Sequence, residues 1–313
     1  MSSHHHNHHH HHEHASVDNM TGKKLFLTII LNFIITAAQI VGGILSNSLA
    51  LISDALHNLS DGVAVLLAWI AYRLGKKPGT PRQTFGFRRS EILAAFINSV
   101  ALIAISIYLI VEAAQRFADT TPVDGGIMLW MGIIGLVANM FSVLLLQKDK
   151  GSNINVRAAY LHLLGDALTS LAVIVGAIVI EMWKIYWIDP LVTVIISAFI
   201  LYHTVGLLKE STSVLMQFTP SEVDLVAAKE KLETLPEINN VHHLHSWALS
   251  EGSLYFEAHV NLQEDLPTSE TLQVRHAIEE LLHHEYGIEH VTLQFEYNSH
   301  HHPGILVDGN GCC

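Results

Sequence analysis

Cysteine is nearly absent from this chain. Two occur in 313 residues, Cys312 and Cys313, adjacent at the extreme C-terminus. Neighbouring cysteines rarely bridge each other, so an internal disulfide framework is excluded. An exposed pair of thiols is expected there, with a soft metal ligand or an intermolecular bridge as the other uses. Charge is scarce too: Asp, Glu, Lys and Arg make up 15% of the residues, against about 25% in a soluble domain. A basic excess is missing, since 29 acidic residues outnumber 17 basic ones, which argues against nucleic acid as a partner. The first 22 residues lack the apolar core of a secretory signal peptide, and none is expected.

What is present is apolar sequence in long blocks, half of all residues being hydrophobic. Six stretches are long enough to span about 30 Å of hydrocarbon, near residues 24–45, 48–72, 90–114, 124–146, 158–182 and 188–208. Turn-forming residues separate them: Ser46-Asn47-Ser48, Pro78-Gly79-Thr80-Pro81, Pro122 through Gly126, Gly151-Ser152-Asn153, and Asp189-Pro190. Lys and Arg crowd one side of these spans, from Lys23 and Lys24 through Arg73, Arg88, Arg89 and Arg157 to Lys209. Only Arg116 and Lys184 flank the other. The positive-inside rule therefore places both termini in the cytosol, with Trp183, Tyr186 and Trp187 at the outer interface.

Four parts are expected: a histidine-rich tail (1–22), a six-helix membrane domain (23–209), a cytosolic domain (210–298) and a flexible end (299–313). Nine of the 23 histidines fall between His4 and His14. A purification tag would usually be unbroken, so this interrupted run reads rather as a native, disordered, metal-catching tail. After residue 220 the pattern changes to a helix (221–235), strands (241–249 and 254–263), a helix (268–285) and a strand (290–297). That α-β-β-α-β order predicts an α+β, ferredoxin-like domain with both helices on one face of a three-stranded sheet. In the second strand Leu254, Phe256, Ala258, Val260 and Leu262 form the inner face, and His259 lies on the polar one.

Ionisable residues inside apolar spans are costly and therefore informative. His57 and Asp61 in the second span, and His162 and Asp166 in the fifth, are both four apart, so each pair shares a helical face. Two imidazoles and two carboxylates converging from two helices form a closed ligand set suited to Zn2+. Asp54 continues the stripe, and we expect it to orient His57 rather than to bind metal. The small residues Gly165, Ala167, Thr169 and Ser170 beside the second pair permit close helix approach. The loop RLGKKPGTPRQTFGF between the second and third spans has no His, Cys, Asp or Glu, so no metal site is expected there.

Several stretches carry a specific resemblance: GGILSNSLALISDALHNLSD, TFGFRRSEILAAFIN, VRAAYLHLLGDALTS, VHHLHSWAL and IEHVTLQFE. Over residues 23–297 the chain resembles the cation diffusion facilitators, in particular zinc exporters of the ZitB/CzcD type. The resemblance implies a homodimer that exports Zn2+ from the cytosol in exchange for H+ by alternating access, with His57, Asp61, His162 and Asp166 as ligands. It also implies a cytosolic zinc site similar to one built from His242, His259 and Glu296. His276 is a candidate fourth ligand there. The face of the first strand stays open, because strict alternation sets His243 and His245 opposite His242.

The short connection between the fourth and fifth spans resembles bacterial members and implies the inner membrane. Two other classes compete with a proton-coupled exporter. A metal-gated channel or membrane sensor would use the same histidines. An intramembrane metalloenzyme would need an open coordination position and a general base; no HExxH motif occurs, and four ligands close the shell.

Overall fold

A computed structural model describes residues 17–75, 77–147, 154–250, 252–298 and 304–305, with residues 17–29, 31, 68, 72, 142, 145–147 and 154–162 described by backbone alone. The histidine run at 4–14, the end of the tail with Cys312 and Cys313, and the connection at 148–153 lie outside the described residues. Chain contacts divide the molecule into two units, one of residues up to 63 with 102–202, the other of 64–101 with the residues from 203 onward.

Six apolar helices follow one another: α1 (Val17–Ser46), α2 (Leu49–Gly75), α3 (Ser90–Ala118), α4 (Gly125–Gln147), α5 (Ile154–Trp183) and α6 (Ile188–Leu215). Among the described residues four stretches are long and apolar enough to cross a membrane: Leu49–Gly75, Ser90–Ala118, Leu163–Trp183 and Ile188–Leu215. Among the described residues α1 and α4 contribute the apolar stretches Asn32–Ser46 and Gly125–Phe141. Helices run past the expected apolar limits at the start of α1 and the end of α6. Polar helix formers such as Lys209 and Glu210 continue a helix that hydrophobicity alone would have ended.

In the first unit α4 packs along α5 and against α1. The core joins Leu51, Met128, Val173, Ala177, Ile180 and Ile196, among others. Gly135 allows the closest approach, since a Cβ there would lie 2.3 Å from Gln39 Nε2.

One carboxylate organises the end of this unit where α2 begins. Asp189, fully buried in the first turn of α6, accepts from Ser48 Oγ at 2.6 Å, Leu49 N at 2.9 Å and Ala50 N at 3.2 Å. Ser48 Oγ in turn accepts from Leu51 N at 3.1 Å. The free N–H groups of α2 thus meet a hydroxyl from the residue just ahead of it and a negative charge from another helix. The preceding Asn47 has a left-handed backbone (φ 57°). Its carbonyl accepts from Arg116 Nη1 at 2.7 Å, and its amide donates to Thr121 Oγ1 at 3.0 Å. Replacing Asp189 by Asn strips charge and acceptor capacity from two buried N–H groups. The expected cost is about 1–3 kcal/mol, read as a lower unfolding midpoint of the detergent-solubilised chain. An unchanged midpoint would remove the carboxylate from this role.

The second unit holds the predicted α+β order: α7 (Leu225–Leu232), β1 (Ile238–Ser250), β2 (Ser253–Leu262), α8 (Thr268–Tyr286) and β3 (Ile288–Tyr297). The sheet runs β1-β2-β3, the first pair antiparallel and the second parallel, with α8 as the crossover. Helix α7 is shorter than expected because Asp224 caps it, accepting from Val226 N and Ala227 N. Val241, Leu244, Phe256, Ala258 and Val260 of the sheet meet Leu232, Val274, Ile278 and Leu282 of the helices in one core. Both helices therefore cover one sheet face, and the other is left to polar and aromatic residues.

Candidate metal centres

The helix α2 brings its ionisable stripe against α5. His57 Nε2 lies 3.1 Å from Asp166 Oδ1 and 3.6 Å from Asp61 Oδ2. One donor atom from each of the three falls within 4.8 Å of the others, the spacing a single ion requires. His57 and Asp166 are buried and Asp61 is partly so. His162 sits one turn before Asp166 on α5, where only the backbone is described.

Asp54 stands one turn before His57 on α2, outside that trio. Its hydrogen-bond partners lie on two other helices, α1 and α5. Thr169 Oγ1 donates to Oδ1 at 2.7 Å, while Ser170 Oγ at 3.1 Å and Gln39 Nε2 at 3.3 Å donate to Oδ2. Asn139 Nδ2 donates to Ser170 Oγ at 3.3 Å, so α1, α2, α4 and α5 meet around one fully buried carboxylate. Thr169 Oγ1 is also 2.9 Å from the backbone oxygen of Asp166. Asp54 thus fixes α5, which carries Asp166, against α2, which carries His57. Spacing along α2 shows which residues share a stripe but not which neighbour the stripe meets. Gln39 and Asn139 were the available clue, as amides inside apolar helices.

The second cluster lies on the polar face of the tail sheet. His259 Nδ1 is 2.8 Å from Glu296 Oε1, and His242 Nε2 is 3.5 Å from Glu296 Oε2. The two imidazoles stand edge to face, 5.4 Å apart. Two imidazoles and a carboxylate within 4.8 Å suit Zn2+. A β-bulge resolves the ambiguity of the first strand. His242 faces His259 and His245 faces Glu257, so two residues of β1 oppose one of β2 between those pairs. His243 supplies the extra residue with a left-handed backbone (φ 53°). His242 and His245 therefore share a face that strict alternation would have denied them. Burial lowers the His243 pKa below its usual range, helped by His259 and His245 and opposed by Glu257 and Glu296.

His276 is not part of this cluster. It projects from the exposed side of α8, 3.4 Å from Glu279. That helix covers the opposite sheet face through Val274 and Ile278, so within one chain the fold keeps His276 away.

Carboxylates and an imidazole buried inside apolar helices mark a membrane protein that handles metal cations. The transmembrane domain of cation efflux proteins matches residues 25–216, and their cytoplasmic domain matches 220–298. The chain belongs to the cation efflux family and is a metal-cation transporter, not an enzyme. It is 38% identical over 271 residues, 86% of this chain and 87% of the relative, to a "cadmium, cobalt and zinc/H(+)-K(+) antiporter" of Bacillus subtilis. It is 38% identical over 286 residues, 91% of this chain and 88% of the relative, to the zinc transporter ZitB of Pectobacterium atrosepticum. The metal cation efflux protein CzcD of Cupriavidus metallidurans is 36% identical over 278 residues, 89% of this chain and 87% of that one.

Proposed function

We propose that this chain exports Zn2+ from the cytosol in exchange for H+, through one site made of His57, Asp61, His162 and Asp166. The observation that carries the reading is the meeting of His57, Asp61 and Asp166 between two apolar helices. The relatives' names, a zinc transporter and an antiporter of zinc and protons, support it. Two carboxylates balance the two charges of the cargo, and the imidazoles supply nitrogen donors. Each ligand must shed its proton to hold metal, so protonation and metal binding compete for the same atoms. Metal arriving on the cytosolic side drives protons off; protons arriving on the outer side displace the metal. Alternating exposure of the site then couples the two gradients.

The working unit in this reading is a homodimer in a bacterial inner membrane, with both termini cytosolic. His242, His259 and Glu296 would hold a further Zn2+ in the tail.

Flux in sealed vesicles tests the coupling. With the purified chain in proteoliposomes, zinc uptake should run against its own gradient when the lumen is acidic, and stop when an ionophore collapses the pH difference. Uptake that follows the zinc gradient alone, indifferent to pH, would make the protein a channel and overturn the proposal.

A further inference from the structure

In the second unit, the loop between α2 and α3 and the polar face of the tail sheet enclose a cavity of about 450 Å3. That volume suits a small ligand. Its lining includes Lys77, Thr84, Phe85 and Arg88 from the loop, with Tyr255 and His290 from the sheet. We propose that this cavity binds a phosphate-bearing anion, presented by the headgroup of an anionic membrane phospholipid.

Charge is the first argument. Two cations reach the cavity, no Asp or Glu lines it, and among the described residues neither Lys77 nor Arg88 forms an ion pair. A divalent metal would be repelled by both and would find one imidazole as its nitrogen donor. A phosphate would gain charge-assisted bonds from the ammonium and the guanidinium and a further donor in the Thr84 hydroxyl.

Shape is the second. The loop is held by its own backbone: Thr80 and Gln83 pair through N–H···O bonds of 3.0 and 2.9 Å, and Gly86 N donates to Gln83 O at 2.9 Å. Gly86 has φ 62°, a conformation that suits glycine. The loop thus presents its cations from a tight turn. On the sheet side Tyr255 is stacked between His290, at 4.5 Å, and Trp247, at 5.6 Å, with the Phe85 ring edge-on at 5.7 Å. Those contacts occupy the ring faces that a nucleotide base would need, so the wall favours a compact headgroup.

Position is the third. Gly75 lines the cavity and is the last residue of α2. Arg88 is two residues before α3 begins at Ser90. Both helices are long and apolar enough to cross a membrane, so the cavity opens where lipid phosphates lie. Basic pockets at this depth select anionic headgroups.

The test titrates the purified full-length chain in detergent with dihexanoyl phosphatidylglycerol, dihexanoyl phosphatidylcholine and inorganic phosphate, followed by calorimetry. Phosphatidylglycerol should bind saturably, one per protomer, and at least about tenfold tighter than the other two. The Lys77→Gln/Arg88→Gln double variant should lose about 100-fold, roughly tenfold per cation. Lys77→Arg should bind like the parent, showing that charge rather than disturbed folding sets the loss. Arg82→Gln, a loop cation outside the cavity lining, should stay within about twofold of the parent, since it alters only the diffuse field near the membrane. Equal binding of the two lipids, or an Arg82→Gln loss matching the double variant, overturns the site. Inorganic phosphate binding as tightly as phosphatidylglycerol overturns the lipid source.

Discussion

Asp166→Asn should abolish zinc transport while leaving the helices folded. The carboxylate lies 3.1 Å from the His57 imidazole, in a buried position where few groups can replace its charge. Asparagine keeps the shape but removes one of two negative charges that balance the cargo. Partners outside the ligand shell already cost about 10–100-fold when lost, so loss of a ligand should exceed about 100-fold in flux. Asp61→Asn should do the same. Proteoliposome flux measures the loss, and circular dichroism with the size-exclusion profile checks folding. Full activity in either variant would exclude that residue from the transport site.

Zinc should also stabilise the tail, and Glu296→Gln should cancel the effect. Glu296 bridges His242 and His259, joining β3 to the β1–β2 hairpin. At free zinc about 100-fold above its dissociation constant, a ligand that binds only the folded state adds about 2.7 kcal/mol. In the full-length chain this should appear as slower hydrogen exchange along β1, β2 and β3. Glu296→Gln should exchange alike with and without zinc, yet still transport at saturating metal, because the intramembrane ligands are intact. Zinc-independent exchange in the parent would remove the tail site.

Much of this arrangement was legible in the residues. A carboxylate four positions after an imidazole, inside sequence too apolar to tolerate either, singles out α2 and α5. The tail's order of elements followed from a change of hydrophobic period and from its turn residues. What escaped was tertiary. The bulge at His243 is a local break in alternation that no composition of the strand announces, and it alone decides the face of His242. The stripe on α2 sets Asp54 beside His57 but says nothing of Thr169 and Ser170, which the packing of α5 brings to it. Asp189 read as part of a turn before Pro190, and its bonds to Ser48, Leu49 and Ala50 join residues some 140 positions apart, beyond the reach of any local pattern. Residue type and a place one turn into α8 make His276 a candidate ligand, but neither says which side of the sheet that helix covers.

The anchorage of α2 through Asp189 and Asn47 has a mechanical corollary. A helix pinned at its first turn and held again at Asp54 can swing only beyond that second hold, so displacement grows along the rest of its length. Asp61 lies about 10 Å beyond Asp54 at the usual rise per residue, so a swing of about 9° would carry it sideways by about 1.6 Å. Zinc–oxygen bonds are about 2 Å long, and such a swing is enough to dismantle the coordination sphere. A lever of this kind lets a small angular change at a fixed fulcrum convert a gripping site into a releasing one.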